Sequence, residues 1–283
     1  MRGAKVVLVG VAVIVLILAA VWVVDGPAAP AAAPLAVAPL PEPTTPSTST
    51  TTTLPPPPTT VAPPAPAAVA LAVPCVPDPM PAAPPSSEVA SSNGASVAYA
   101  AAPGGPGKGE LPAATWGGPT VRPVLGTAPG WVEVQLDTRP NASAGWVPQS
   151  AVTMSSTAYF VVVSTCRRTL TVFEAGNPIY SAPVGVGQAG SPTPLGPSFV
   201  DAFVGTPRSQ IGVYGPEVVI IGSHSNVYTE FDGGNGTVAI HEYPSDPAST
   251  QGVASSHGCV RVSPTTLQAM LGVPVGTPLD IIN

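Results

Sequence analysis

The feature that most limits how this chain can fold is a stretch of about sixty residues, Gly26 to Ser86, built almost wholly of Pro, Ala, Thr and Ser. It carries almost no aromatic residue and almost no charge. Such a segment has too little apolar surface to offset the entropy of ordering it, and it reads as an extended, partly polyproline-II spacer. At about 3.1 Å per residue it reaches at most roughly 180 Å. Any packed fold is thereby confined to the last two thirds of the 283 residues.

What precedes the spacer gives it an address. Val6–Val24 is an unbroken apolar run of about 19 residues with Arg2 and Lys5 ahead of it. As a helix it spans about 28 Å, close to the hydrocarbon thickness of a bilayer. The positive flank places the N-terminus in the cytoplasm and everything after Asp25 outside. The rival reading is a cleaved signal peptide ending near Ala31-Ala32-Ala33, for which the apolar run is long. Both export the remainder of the chain, either as a single-pass membrane protein with its folded part in the cell wall or periplasmic space, or as a secreted one. Lys and Arg number only 9 against 15 acidic residues, so no basic stripe exists to neutralise phosphates and nucleic acid is excluded as a partner.

The chain therefore divides into a cytoplasmic start and transmembrane anchor (1–25), a Pro/Ala/Thr-rich linker (26–95), a small β-barrel (96–155) and a mainly β C-terminal domain (156–283). In the third part Trp116, Trp131 and Trp146 appear, and Trp131-Val132-Glu133-Val134-Gln135-Leu136 alternates as a half-buried strand does. The run Gly130–Val134 followed by Arg139–Val147 resembles the last hairpin of bacterial Src-homology-3-like barrels. Its tryptophans read either as a wall-binding surface or as the barrel's own core. In the fourth part, strands are predicted at Tyr159–Val163, Thr169–Phe173, Pro178–Val184, Val218–Ile221, Val238–His241 and Pro278–Ile282. One helix is predicted, with Ser263 as N-cap, Pro264 at its first position and Gly272 as its stop.

Chemistry concentrates in Ala239-Ile240-His241-Glu242-Tyr243 and Ser255-Ser256-His257-Gly258-Cys259-Val260-Arg261-Val262. A cysteine acts as nucleophile through its thiolate, and an imidazole is the base suited to neutral pH. Backbone N–H groups next to Cys259 can stabilise an oxyanion, and Gly258 lets the chain approach a substrate closely. His241, His257 and Cys259 make a poor zinc site, since no fourth ligand has suitable spacing; no metal and no cofactor are expected. If Cys259 is catalytic, Cys75 and Cys166 are candidates for a disulfide, with two ordinary buried thiols as the alternative.

A strand-end His, a variable loop and Ser-His-Gly-Cys-Val-Arg, with His241 eighteen residues before Cys259, resembles the L,D-transpeptidase catalytic domain of bacterial cell-wall enzymes. Ser191-Pro192-Thr193-Pro194-Leu195-Gly196 and the ending Leu271–Leu279 are similar to further signatures of that family. The resemblance covers about 125 residues. It implies a β-sandwich or barrel-like catalytic domain with one short helix after the active-site loop. It implies Cys259 as nucleophile, His241 as base held by a nearby backbone carbonyl, and Gly258 and Cys259 as the oxyanion hole. Ser256, His257 and Arg261 are implied to shape the loop and bind substrate. The reaction implied is acyl transfer from a peptidoglycan tetrapeptide stem to an amine of a neighbouring stem. The alternatives are an L,D-carboxypeptidase, another exported cysteine hydrolase, or a wall-binding protein without activity. The family usually has Gly after the first His; Glu242 stands there in this chain and is expected to narrow the pocket or alter acceptor choice. His224 reads as a groove residue or a solvent-exposed loop histidine, Tyr214 and Tyr228 as oxyanion donors or as core or rim packing residues, and Asn141 as a turn residue.

Overall fold

The structure, a computed structural model, describes residues 75–283. The expected anchor (1–25) and the larger part of the expected linker (26–74) lie outside the described residues. Among the described residues no helix is long and apolar enough to cross a membrane.

Nine strands come first: β1 (Ser87–Ser92), β2 (Val97–Ala100), β3 (Gly107–Leu111), β4 (Ala114–Thr115), β5 (Gly118–Pro119), β6 (Val121–Ala128), β7 (Trp131–Gln135), β8 (Ala144–Pro148) and β9 (Val152–Thr157). Seven of them form one sheet in the order β3-β2-β8-β7-β6-β1-β9, while β4 and β5 make a separate hairpin. Strand β1 lies upstream of residue 96, in the stretch whose composition argues for a linker. The alternation expected along β7 is present: Val132 and Val134 are fully buried and Glu133 between them is half-buried. The three tryptophans are not the core of this module. Its core is Val and Leu, with Val132, Val134, Leu136 and Val147 at its centre, whereas Trp131 and Trp146 are half-buried and Trp116 is 50% exposed. Bulky indoles lie at the rim because the narrow interior of a small sheet is filled by β-branched side chains.

The second module contains β10 (Tyr159–Ser164), β11 (Thr169–Glu174), β12 (Asn177–Pro183), β13 (Val186–Gly187), β14 (Gly196–Gly205), β15 (Glu217–His224), β16 (Thr237–His241), β17 (Ala254–Ser256), β18 (Val260–Arg261) and β19 (Pro278–Ile282), with helices α1 (Ile211–Tyr214) and α2 (Pro264–Leu271). Eight strands form a mixed sheet in the order β12-β11-β10-β19-β14-β15-β16-β18, parallel at β10·β19 and β16·β18. Strands β13 and β17 pair separately. The protein is mainly β, as the sequence argues. Helix α2 begins as expected: Ser263 Oγ accepts the Thr266 N–H at 3.2 Å and Pro264 occupies the first turn, where a missing N–H leaves no bond unmade. Its Leu267 and Met270 are fully buried against Val163, Val260 and Ile281 of the sheet. Truncating such a side chain to Ala costs about 2–5 kcal/mol. The single turn α1 has no counterpart in the sequence reading.

The longest strand, β14, was not expected, because Pro197, Asp201 and Gly205 interrupt its apolar pattern. The carboxylate of Asp201 is tolerated inside by a partner from the other module. Arg122 on β6 forms an ion pair with it, and the two side chains are 1% and 0% exposed. The guanidinium also lies 4.7 Å from the centre of the Phe199 ring. Nearby, burial raises the Asp137 carboxyl to about 6, helped by the Asp201 charge and opposed by Arg122.

Of the two readings open for Cys75 and Cys166, the structure has the disulfide, with Cα atoms 5.5 Å apart across a sequence separation of 91. In the chain-entropy account a loop of that length contributes about 4–5 kcal/mol. It fixes the start of the described chain to the β10–β11 turn. The following residues run along the second module: the Asp78 N–H donates to the Asn283 carbonyl at 3.0 Å and Arg167 donates to the Asp78 carbonyl at 2.9 Å.

Removing one member of the Arg122–Asp201 pair leaves a buried charge uncompensated. Arg122→Met is expected to lower unfolding free energy by about 3–5 kcal/mol in urea titration, and Arg122→Met with Asp201→Leu to recover most of the loss. Equal losses in the single and double variants would show that the pair's charges are not what matters.

Candidate active site

Strands β16 and β18 set the site. They run parallel with His241 opposite Arg261 and Ile240 opposite Val260. Because side chains alternate along a strand, Val238, Ile240, Val260 and Val262 point into the core. Ala239, His241 and Arg261 take the other face, with Cys259 packed beside Ala239. The sequence thus folds so that the apolar alternates lock the register and the chemical alternates are presented together.

Two cavities meet on that face. One, of about 440 Å³, is walled by Cys259, His241, Arg261, His257, Ser256 and Tyr214 among others. The second, of about 260 Å³, is walled by Cys259, Tyr214, Val218, Ile220, Ala239 and Trp116 among others. Cys259 belongs to both, His241 only to the first.

His241 is 3% exposed, and its Nδ1 donates to the carbonyl oxygen of Glu242 at 2.5 Å. That bond fixes the tautomer with Nε2 as the free acceptor, and the ring lies edge-on to Tyr214 with centroids 5.0 Å apart. Burial pulls the imidazole down to about 4, the hydrogen bond to Glu242 opposing the shift and the Arg261 charge adding to it. Burial pushes the Cys259 thiol above its ordinary value, partly offset by a backbone hydrogen bond from Ala239 and by Arg261. Desolvation disfavours the charged form of both groups, so at neutral pH the resting pair is a neutral imidazole and a thiol.

The loop before Cys259 is held from within. Ser256 Oγ donates to the Cys259 carbonyl at 2.6 Å and accepts the Gly258 N–H at 3.1 Å. The Ser256 hydroxyl, expected to hold substrate, is committed inside the loop, and so is one of the two amides expected to form the oxyanion hole. Gly258 has φ +126°, a conformation open to glycine and few others. Thr193 ties this loop to the Ser191–Gly196 turn: its Oγ1 accepts the Gly187 N–H at 2.9 Å and donates to the Gly258 carbonyl at 2.8 Å. Arg261 stacks over Tyr243 with its guanidinium carbon 3.9 Å from the ring centre, and its buried Nε has no hydrogen-bond partner. His257 is exposed beside the rings of Tyr228 and Phe231. The Glu242 side chain lies against Gly215 and is a wall of neither cavity; the residue reaches the site through its carbonyl. Among the described residues no group of three His, Cys, Asp or Glu is arranged to hold a metal ion.

Several contributors were not recognised in the sequence. Arg139, in the turn between β7 and β8 of the first module, donates to three carbonyls of the 225–236 loop: Ser225 at 2.6 Å, Tyr228 at 2.9 Å and Asn235 at 2.8 Å. Asn141, expected only to make a turn, donates to the His224 carbonyl at 2.7 Å and accepts the His224 N–H at 2.8 Å. The same loop supplies Phe231 and Asp232 to both cavities. Asp232 accepts the Tyr214 hydroxyl at 3.0 Å, and burial together with that carboxylate pushes the Tyr214 phenol up to about 12. His224 is neither a groove residue nor solvent-exposed. It is 3% exposed and faces Asp137 at 3.6 Å. These partners are far apart in the chain, and no local signal announces them.

Residues 158–281 match the family model of the YkuD L,D-transpeptidase catalytic domain. Among solved structures, an L,D-transpeptidase from Mycobacterium smegmatis is similar at 21% identity, with 58% of this chain and 89% of that chain covered and a TM-score of 0.36. L,D-transpeptidase 3 from Mycobacterium tuberculosis is similar at 16% identity, with 56% and 98% covered and a TM-score of 0.37. An L,D-transpeptidase from Stackebrandtia nassauensis is similar at 21% identity, with 45% and 56% covered and a TM-score of 0.32. A search of curated proteins finds no match.

Two measurements test the site. Alkylation of Cys259 by iodoacetamide is expected to rise with a midpoint above the ordinary thiol value, because burial raises the thiol and no imidazolium forms beside it near pH 7. A plateau already reached at pH 6–7 would indicate an ion pair instead. Arg139→Ala is expected to accelerate amide exchange across residues 225–236 by at least about tenfold while leaving β10 and β11 unchanged; unaltered exchange in that loop would remove Arg139 from the site's support.

Proposed function

We propose that the chain is a cysteine L,D-transpeptidase that cross-links cell-wall peptide stems. The observation that carries this reading is the position of Cys259 at the junction of two cavities, only one of which holds His241. A transpeptidase must receive two stems, and of the two it is the acceptor whose amine must give up a proton to a base as it attacks. The donor stem is assigned to the 260 Å³ cavity and the acceptor to the 440 Å³ cavity.

Attack by Cys259 Sγ on the carbonyl of the L,D bond passes the thiol proton to His241 Nε2 and forms a tetrahedral oxyanion. The Cys259 N–H is the donor assigned to that oxygen, since the Gly258 N–H already meets Ser256. Collapse expels D-alanine, which takes the proton from His241, and leaves a thioester on Cys259. An amine of the acceptor stem then attacks the thioester carbonyl, His241 removes its proton, and the thiol is restored. Arg261, with a buried Nε lacking a partner, is suited to an acceptor carboxylate. Proton transfer within a neutral pair makes the thiolate at the moment of attack, and the transition state is where the charge separates. Anchoring through Val6–Val24, with the Pro-rich segment as a tether, would place the site in the wall outside the membrane.

The test is mass spectrometry of a disaccharide-tetrapeptide incubated with the full chain in detergent. A cross-linked dimer is expected, lost in Cys259→Ala and reduced by at least about a hundredfold in His241→Ala, the range of a general base. A tripeptide alone would identify a carboxypeptidase using water in the acceptor cavity. An unchanged stem would leave a binding role or a different acyl substrate.

A further inference from the structure

The first module reaches the donor cavity at one residue, Trp116, and its backbone conformation is costly. It lies between β4 and β5, where Thr115 pairs with Gly118, so Trp116 and Gly117 are the two loop residues of a tight hairpin. Both have positive φ, 53° and 84°. This combination is the requirement of a type I′ turn, in which Asn-Gly is the favoured pair. A bulky residue with positive φ is an outlier, of the kind retained where a ligand is clamped. The hairpin is also braced. The Thr120 N–H donates to the Ala113 carbonyl at 3.1 Å, Ser92 Oγ donates to the same carbonyl at 3.0 Å, and Thr115 Oγ1 donates to Asp201 at 3.4 Å. The ring it holds up is nonetheless half in solvent, at 50% exposure, on the wall of the cavity that contains Cys259. Packing does not explain an indole held out in this way.

We infer that Trp116 is a specificity-determining residue that stacks on a pyranose ring of the glycan to which the donor stem is attached. The inference rests on the reading of this cavity as the donor site. A sugar presents axial C–H bonds on one face and hydroxyls around its edge. An exposed indole matches the face, and the amide of Gln210, on the wall of the same cavity, matches the edge. The N-terminal end of a tetrapeptide stem, which carries the sugar, is about three residues from the bond attacked, or about 10 Å in an extended chain. A wall contributed by a different module than the nucleophile's suits that separation. The cavity would thereby distinguish stems still attached to glycan from free peptides.

The decisive variant is Trp116→Asn in the full chain, because Asn is the residue the turn prefers and its use removes the ring without straining the backbone. The chain is assayed with a disaccharide-tetrapeptide and with the free tetrapeptide, and the ratio of the two kcat/KM values is the readout. The wild-type ratio is expected to favour the disaccharide substrate and to fall by roughly tenfold in Trp116→Asn, the size of one good aromatic contact, while Tm holds or rises. A ratio that does not move overturns the proposal, as does an equal loss on both substrates, which would make Trp116 a contact for the peptide. Binding of the peptide-free disaccharide to Cys259→Ala, followed by saturation-transfer NMR with and without Trp116→Asn, separates this proposal from the functional reading. Saturation transfer dependent on Trp116 without turnover of either stem would retain the sugar subsite and overturn the transpeptidase. Turnover of both stems with no Trp116-dependent transfer and no change of ratio would do the reverse.

Discussion

The parallel pairing of β16 with β18 is the constraint on which the site depends. A slip of one residue between these strands would carry His241 and Arg261 into the core and turn Ile240 and Val260 outward. The register is secured by what lies on the opposite face, where Val238, Ile240, Val260 and Val262 pack with Leu267 and Met270 of α2. Cys259 and His241 owe their shared face to the apolar neighbours packed on the other side of the strands. The strand β18 is only two residues long, so the loop ahead of it is stabilised separately, by Ser256 within the loop and by Thr193 from the Ser191–Gly196 turn.

Burial gives this site its electrostatic character. A solvent-exposed Cys–His pair with a strong positive field would rest as thiolate and imidazolium; here desolvation acts on both partners and keeps both neutral. The Glu242 carbonyl in place of a carboxylate orients the imidazole without contributing a full negative charge. Around this centre the first module is more than a spacer. Arg139 and Asn141 hold the loop that supplies Phe231 and Asp232, Arg122 neutralises Asp201 within the longest strand, and Trp116 stands on a cavity wall.

The readable parts of this protein are those in which local rules and global needs agree. Ser263-Pro264 opens a helix in any context that lets it pack, and the β-branched run at Tyr159–Val163 forms a strand with either neighbour. The unreadable parts are those in which a distant partner reverses a local penalty. Strand β14 contains an aspartate that would break an apolar strand without Arg122, which is 79 residues away. His224 looks like a loop residue until Asn141, 83 residues earlier, binds its backbone. Ser256, which the family resemblance implies both shapes the loop and binds substrate, spends its hydroxyl on the Cys259 carbonyl and the Gly258 N–H, a commitment visible only once the loop is folded.

The sequence by itself determined the mainly β class and the helix after the site, because residue type and spacing suffice for each, and it singled out Cys259 and His241 as the candidate pair. Only the tertiary structure decided that the pair is neutral at rest, that Cys75 is joined to Cys166, and that two cavities meet at the thiol. Those outcomes follow from burial and from long-range proximity, which are properties of the packed chain and are not encoded in any short segment of it.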